Sequence, residues 1–473
     1  MAATRIIWRG ALNALAGLGL ATLLLGTAAR AATDPLEVRP NRWEEDHAAL
    51  ATRAIPLKGL ERLKYLPLDP DRPAGMSPIW MSVGGELREK VDLIRDSQVG
   101  LSPIPAYDTA TSRAYLHADL HLGRKVRLFG QLSWADEGGR RGADRSYDES
   151  GVDVQQLFVD LSPNRQSRLR LGRQELPLGD QRLSEVRETY DLRRSFDAAR
   201  LDLTSRGGTV LTAFTARLVT NHPGPFDDRD QPGERFQGLY AAVPVAGAGA
   251  GIDLFWLERQ RRASTYAEGT APERRETFGV RAHGAGGGGF DYNLYGLAQT
   301  GRFGASDIRA WAASADLGWT AQGRAWTPRF SLRADVASGD ARRGDGKLGG
   351  FDAPYPNTSY LSTSSAYWPG NAWSVFPLLT ARPRPSLTLF LGAQSMSRMS
   401  KADAFYYSAQ SPLALPTGHG QVMMRQVYGR ARWEPVRNLT FSATLIRQFA
   451  GDPVRARGGH DGSIISLATD WKF

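Results

Sequence analysis

The chain has 473 residues, no cysteine, and enough basic over acidic side chains for a formal charge of +10. Without thiols it has no disulfides, thiolate metal sites, iron–sulfur clusters or cysteine nucleophiles. A mean hydropathy of −0.37 suits a soluble multidomain protein and a transmembrane barrel equally, since only alternate residues of a barrel strand meet lipid.

Arg5 and Arg9 precede an apolar stretch from Ala11 to Ala29, and Ala29-Arg30-Ala31 has the small-x-small pattern of a cleavage site. Residues 1–31 therefore read as a secretory signal peptide, against the alternative of an uncleaved anchor. No later apolar run approaches the roughly 18–20 residues of a transmembrane helix, so a membrane reading requires a barrel. Residues 32–78 read as a periplasmic N-terminal segment, with a short helix possible over 43–54.

From Ile79 the chain alternates with period two, the strand period. Predicted strands cover 79–95, 112–122, 125–135, 152–161, 167–175, 197–204, 209–220, 235–245, 250–260, 275–283, 289–300, 307–320, 326–338, 371–382, 386–398, 421–434, 438–450 and 462–473. These are about eighteen strands, an even number as single-chain bacterial barrels have. Short connections (Gly123-Arg124, Pro383-Arg384-Pro385) alternate with long ones (136–151, 176–196, 221–234, 339–370, 399–420). Short periplasmic turns and long extracellular loops produce this rhythm, which a β-sandwich does not. The last strand carries Ile465, Leu467, Thr469, Trp471 and Phe473 on one face. Trp319, Trp326 and Trp433 flank short turns, where an interfacial aromatic belt belongs. The expected fold is an all-β transmembrane antiparallel barrel over 79–473, in the outer membrane of a Gram-negative bacterium.

A lipid-facing arginine costs roughly 2–4 kcal/mol at mid-bilayer, so strand arginines should face the lumen. Parity turns Arg88, Lys90, Arg127, Arg170, Arg200, Arg217, Arg281, Arg329, Arg333, Arg430 and Arg432 away from the apolar faces. Glu86, Asp202 and Asp335 join them as ion-pair partners. Such a lumen, biased to positive charge, selects anions. Glu89 and Arg173 break the parity; bulges at Gly84-Gly85 and Gly172 would reset it. Arg182, Arg193 and Arg194 lie in the long loop 176–196, which as a constriction would fold into the pore.

Several segments resemble the alginate-export family: Arg42-Trp43-Glu44-Glu45-Asp46, Leu63-Lys64-Tyr65-Leu66-Pro67-Leu68, and Ser82-Val83-Gly84-Gly85-Glu86-Leu87-Arg88-Glu89. Leu171-Gly172-Arg173-Gln174-Glu175, Leu178-Gly179-Asp180-Gln181-Arg182 and Ser195-Phe196-Asp197 with Arg200-Leu201 follow. Arg333-Ala334-Asp335, Ser338-Gly339-Asp340, Phe351, Pro354-Tyr355-Pro356 and Asn371 complete the order. The resemblance spans 36–473 and implies an eighteen-stranded channel for passive export of an anionic polysaccharide such as alginate. It implies that Arg88, Arg127, Arg173, Arg200, Arg333 and Arg430 pair with uronate carboxylates. Expected partners are the polysaccharide, outer-membrane lipid with lipopolysaccharide, and a periplasmic secretion scaffold. A general or anion-selective porin for small nutrients is the alternative within the fold.

Other chemistry is weakly supported. His117 and His121, i and i+4 in a strand, are ~13 Å apart when extended, too far to share a metal. Asp340, Asp345 and Asp352 lie in a Gly-rich loop without EF-hand spacing. An outer-membrane barrel enzyme needs a Ser/His or Asp/His constellation, and the 7 histidines carry no such motif. No catalytic residue, cofactor or metal ligand is assigned. The pI of 9.8 alone would suit a nucleic-acid-binding protein, but the leader and strand pattern oppose it.

Overall fold

A computed structural model describes residues 34–473 except 53–55, 70, 72–77, 97, 102–105, 142–146, 246–248, 362–363, 365–366 and 408–410. The expected leader over 1–31 lies outside the described residues. Eighteen long strands follow in chain order. They are β1 (Ile79–Arg95), β2 (Ala106–Leu122), β3 (Val126–Gly138), β4 (Ser150–Asn164), β5 (Ser167–Gln174) and β6 (Phe196–Thr204). Then come β7 (Val210–Thr220), β8 (Glu234–Val245), β9 (Ala250–Tyr266), β10 (Gly269–Ala285), β11 (Phe290–Phe303) and β12 (Ser306–Thr320). The circuit ends with β13 (Arg329–Ala337), β14 (Ala372–Arg384), β15 (Leu387–Ser397), β16 (Val422–Val436), β17 (Leu439–Ala450) and β18 (Gly462–Lys472). Each pairs antiparallel with the next, and β18 closes on β1, with Glu86 opposite Lys472 and Arg95 opposite Ser463. Closure leaves no sheet edge, which is what lets strands cross a bilayer.

Alternation sets the two faces. On β2, Leu116 and Leu122 are exposed while Tyr115, His117 and Asp119 are buried. The outward faces carry leucine, valine and isoleucine around the circuit. At the short-turn end Trp319 stacks with Phe330 at 6.2 Å and Trp433 with Phe441 at 5.5 Å, an outward aromatic girdle.

Two connections at the long-loop end depart from the expected rhythm. Strands β9 and β10 meet across Ala267 and Glu268, and β11 and β12 across Gly304 and Ala305. The expected strands 250–260 and 275–283 stop short of this hairpin because both of its faces are polar: above the lipid no apolar alternation marks a strand. A bulge between Arg261 and Ser264 also breaks the pattern.

The proposed parity-resetting bulges are absent. Strand β1 pairs with β2 without a register shift through Gly84 and Gly85. Glu89 therefore keeps the outward face, where Ser112 Oγ donates to it at 2.6 Å. Arg173 likewise stays opposite the outward Leu157. Gly172, at φ +124, permits the close approach, since a Cβ there would lie 2.3 Å from the Leu157 carbonyl oxygen.

Arg217 also faces outward, not into the lumen. Its neighbours Phe214 and Ala216 are the buried ones. They belong to a hydrophobic core inside the barrel, where Leu176, Leu178 and Leu183 of loop 175–195 and Phe351 and Tyr355 of loop 338–371 pack on Phe196, Phe214, Phe236, Phe255 and Tyr295 of the wall. Two long loops thus fold inward and fill the lumen along β6–β13.

Leu254 sits on the outward face beside Val280 and Ala241. Leu254→Arg is expected to lower folding stability by about 2–4 kcal/mol. Urea titration of refolding into lipid vesicles measures this; an unchanged midpoint would place that face away from hydrocarbon.

Candidate functional site

Described residues of three segments pack against the inner wall: the N-terminal stretch around Arg42–Lys64, loop 175–195 and loop 338–371. The first is anchored by Arg42, whose Nη2 donates to the Phe473 main-chain oxygen at 2.6 Å and Nη1 to the Gly85 carbonyl at 2.9 Å. Trp43 buries its ring among Phe129 and Phe158, beneath Arg170 at 4.5 Å, and its Nε1 donates to Glu175 at 3.2 Å. Glu45 gathers Arg42 at 2.7 Å, His47 at 3.1 Å and Lys64 at 3.5 Å. Burial alone would raise the Glu45 pKa, but His47, Arg42 and Lys64 hold it well below the usual carboxylate range. Burial pushes Lys64 down to about 8 against the pull of Glu45.

Loop 175–195 is tied to the wall by buried charge. Arg193 pairs with Glu188, contacts Glu175 at 3.3 Å and donates to the Pro40 carbonyl at 2.7 Å. Glu188 also takes Arg88 at 2.8 Å and Arg113 at 3.1 Å from β1 and β2. Burial opposes the Glu188 charge, and Arg193, Arg113 and Arg88 outweigh it, so the carboxylate stays ionised. Across the lumen, Arg182 reaches Asp335 on β13 at 2.5 Å. The two loops join directly: Glu185 N donates to Tyr355 O at 3.1 Å, Tyr355 N to Leu183 O at 3.0 Å, and Arg194 Nη1 to Tyr355 O at 3.0 Å. Loop 338–371 is held by Asp352, which pairs with Arg259 and accepts from Tyr266 at 2.7 Å and Trp368 at 2.6 Å. Asp352 is therefore committed to the wall.

The residues read from the sequence divide into three groups. Arg88, Arg127 and Arg170 point inward and are already paired: Arg88 with Asp470 at 2.5 Å, Arg127 with Asp119 at 2.7 Å, Arg170 with Asp160 at 2.7 Å. Arg182, Arg193 and Arg194 lie in the infolded loop, with Arg194 also donating to the Glu185 carbonyl at 3.2 Å. Arg200, Arg329, Arg333, Arg430 and Arg432 point inward and keep partial exposure. Arg200 pairs with Asp202 at 3.0 Å, Arg329 with Asp291 at 2.5 Å and Arg333 with Asp316 at 3.3 Å. Arg430 reaches the Tyr428 hydroxyl at 3.4 Å, and Arg432 pairs with Glu434. Register places Thr388, Arg432, Ser442, Ala468 and Lys90 in one row across β15–β1. Arg333 lies 5.6 Å over Phe376, beside an inward cluster of Phe376, Tyr428 and Phe390.

Arg173 leaves the set. It faces outward, pairs with Asp197 at 3.0 Å, and donates to the carbonyls of Val154 and Asp228. Glu86, expected as a partner of lumen arginines, takes Arg113 and, at 3.2 Å, Lys472; Asp202 also takes Arg168 at 2.7 Å. His117 stacks on Phe129 at 5.5 Å and His121 on Trp80 at 3.9 Å. Arg113, Arg259, Arg275, Glu175 and Glu188 carry much of the network and escaped sequence reasoning. Parity marks Arg113 beside Tyr115. On β9 nothing marks Arg259, because Phe255 and Leu257 share its inward face.

Breaking a buried pair strands its partner at about 3–5 kcal/mol. Arg193→Met should therefore release loop 175–195, read as faster proteolysis of that loop and larger, noisier single-channel conductance. A variant as quiet and protease-resistant as the parent would remove Arg193 from the anchor. Loop docking should also depend on pH. Burial raises Glu185 from 4.5 to about 8, despite Arg194 and Arg187 and aided by Glu188. The docked loop thus binds a proton that the free loop lacks. Docking is fully favoured below about pH 4.5 and weakens as pH rises through about 8. Conductance should climb with pH in the parent and stay flat in Glu185→Gln; matching curves would clear Glu185 of the effect.

Solved structures give the same fold. Acinetobacter baumannii OccAB2 superposes with a TM-score of 0.57 at 11% identity, over 83% of this chain and 98% of that one. Pseudomonas aeruginosa OccK8 (OprE) gives 0.56 at 12%, over 83% and 98%. The Pseudomonas aeruginosa outer membrane protein opdK gives 0.54 at 10%, over 83% and 98%. No curated protein sequence matches. The sequence profile described as Alginate export matches residues 79–465, which runs from the first strand into the last. The chain belongs to the alginate-export family.

Proposed function

We propose that the protein is an outer-membrane channel of a Gram-negative bacterium that passes an anionic polysaccharide, such as alginate, outward by diffusion. The observation that carries this reading is the inward wall β13–β16, where Arg329, Arg333, Arg430 and Arg432 retain exposure beside Phe376, Phe390 and Tyr428. Guanidinium groups meet uronate carboxylates through paired hydrogen bonds. Phe390, the partly exposed ring of the three, offers a sugar ring an apolar face, with Phe376 and Tyr428 buried beside it. Paired carboxylates such as Asp316 and Asp291 weaken each contact, as passage needs binding loose enough to release. The family membership supports export as the direction. In this reading the short turns face the periplasm, where a secretion scaffold would dock, and the chain performs no catalysis.

A second reading, uptake of a small anion, draws on the loops. Loop 175–195 is fixed by buried ion pairs and an apolar core, which narrows the lumen as a small-solute filter requires.

Planar-bilayer recording separates the two. The polysaccharide channel should be anion-selective and blocked by uronate oligomers, with Arg430→Ala/Arg432→Ala weakening block at least about tenfold if each arginine contributes ~1 kcal/mol. Anion selectivity with block by small carboxylates alone would favour uptake. Absence of anion preference would defeat both.

A further inference from the structure

The outward surface of β7–β11 is layered by height. At the long-loop end Arg235, Gln260, Arg274 and Arg302 stand side by side in one row across β8–β11, and Arg217 of β7 lines the same groove. The next row toward the short turns is Thr215, Gln237, Glu258, Glu276 and Thr300. Below it lie Ala213, Leu239, Trp256, Phe278 and Ala298, then Leu211, Ala241, Leu254, Val280 and Gly296. Four residues separate the arginine row from the aromatic row, ~13 Å along a strand and ~10 Å in height at the usual tilt. The polar headgroup layer adds roughly 5–8 Å on each side of the hydrocarbon, so with the aromatic row near the hydrocarbon edge the arginine row stands at the outer part of that layer.

Each level also has a concavity. A groove of about 920 Å³ at the arginine row is lined by six arginines against three acids. Those acids are already taken: Asp230 by Arg217 at 2.9 Å, Glu234 by Arg261 at 3.4 Å and Glu273 by Arg275 at 2.5 Å. Arg274 is held upright by Glu258 at 2.5 Å and Glu276 at 2.8 Å. Arg235 and Arg262 are exposed and enter none of these pairs. Directly beneath, an apolar groove of about 640 Å³ is lined by Leu239, Leu254, Trp256, Phe278 and Val280.

We infer that this face seats a phosphorylated, multiply acylated glycolipid of the outer leaflet, the chemistry of lipid A. Arg235 and Arg262 take its phosphates and the lower groove takes an acyl chain. Sequence parity suggested a lumen role for Arg217 because lipid-facing arginines are costly; at headgroup height, beside anionic phosphates, the same charge is favourable. The inference rests on the barrel crossing an outer membrane, not on what the channel carries, so bilayer selectivity and lipid binding fail independently.

Native mass spectrometry of the full chain in detergent tests it, titrating bisphosphorylated lipid A, dephosphorylated lipid A and inorganic phosphate. Bisphosphorylated lipid A should be retained, and Arg235→Ala/Arg262→Ala should weaken retention roughly tenfold or more. The outward Arg425 and Arg447 lie on the distant β16 and β17, so Arg425→Ala/Arg447→Ala should leave retention unchanged. Equal retention of dephosphorylated lipid A, in the parent protein and so independent of any variant's folding, would overturn the site. Equal loss in both double variants would reduce it to general surface charge and overturn it too. Inorganic phosphate competing at the same concentration as lipid A would show an ion site without a lipid, and the assignment would fall.

Discussion

The interior depends on one cluster of buried charge. Glu86, Glu175 and Glu188 face Arg88, Arg113 and Arg193, with Arg113 and Arg193 almost wholly withdrawn from solvent. Taking such ions out of water costs several kcal/mol each, recovered only when geometry and hydrogen bonding are complete. Here they nearly are: Arg193 alone binds two carboxylates and the Pro40 carbonyl. An apolar contact of equal area would hold loop 175–195 in many neighbouring positions. A set of charges that each need particular partners holds it in one, and it binds β1, β2, the loop and the N-terminal segment into a single unit. The Arg42 contact to the last residue extends that unit across the barrel seam.

This cluster divides the lumen. Along β6–β13 the space inside the wall is packed like a globular core, with Phe196, Phe214 and Phe236 against Tyr355. Along β13–β18 Phe376, Tyr428 and Ile446 form a smaller buried cluster, while Arg329, Arg333, Arg430 and Arg432 stay partly exposed. A solute crossing the barrel would meet partly exposed arginines on one wall and folded loop on the other. The inward positive charge is therefore not spread evenly around a ring: much of it is neutralised in structural pairs, and Arg329, Arg333, Arg430 and Arg432 keep partial exposure on β13–β16.

The fold was readable because a closed barrel writes the same rule eighteen times, apolar outward and polar inward, with turn residues between. Reading failed where that rule is locally false. Arg217 was misplaced because β7 is apolar on its inward face, where infolded loops replace water with a core. Arg173 and Glu89 looked like errors of register and are instead outward groups with their own partners, Asp197 and Ser112. The hairpin of β9 and β10 was cut short because it rises past the lipid. Loop 175–195 was legible as a loop folding inward from its length and arginines. Its carboxylates were not, since nothing in a loop's sequence announces which distant strand it will meet.

One physical rule accounts for both the successes and the failures. A charged side chain on a barrel strand is expensive only against hydrocarbon, and its cost changes sign with height and with what fills the lumen. Leu254 and Arg274 share the outward side of neighbouring strands, yet one suits the acyl region and the other the headgroups. Inside, Phe214 and Arg430 share the inward side, and each fits because one faces a folded loop and the other faces water. Parity along a strand fixes direction, and direction alone does not fix environment. The missing coordinate is position along the barrel axis, and it is supplied by the aromatic rows, Trp319 and Trp433 at one end and Trp256 and Phe278 at the other, which mark where hydrocarbon begins and stops.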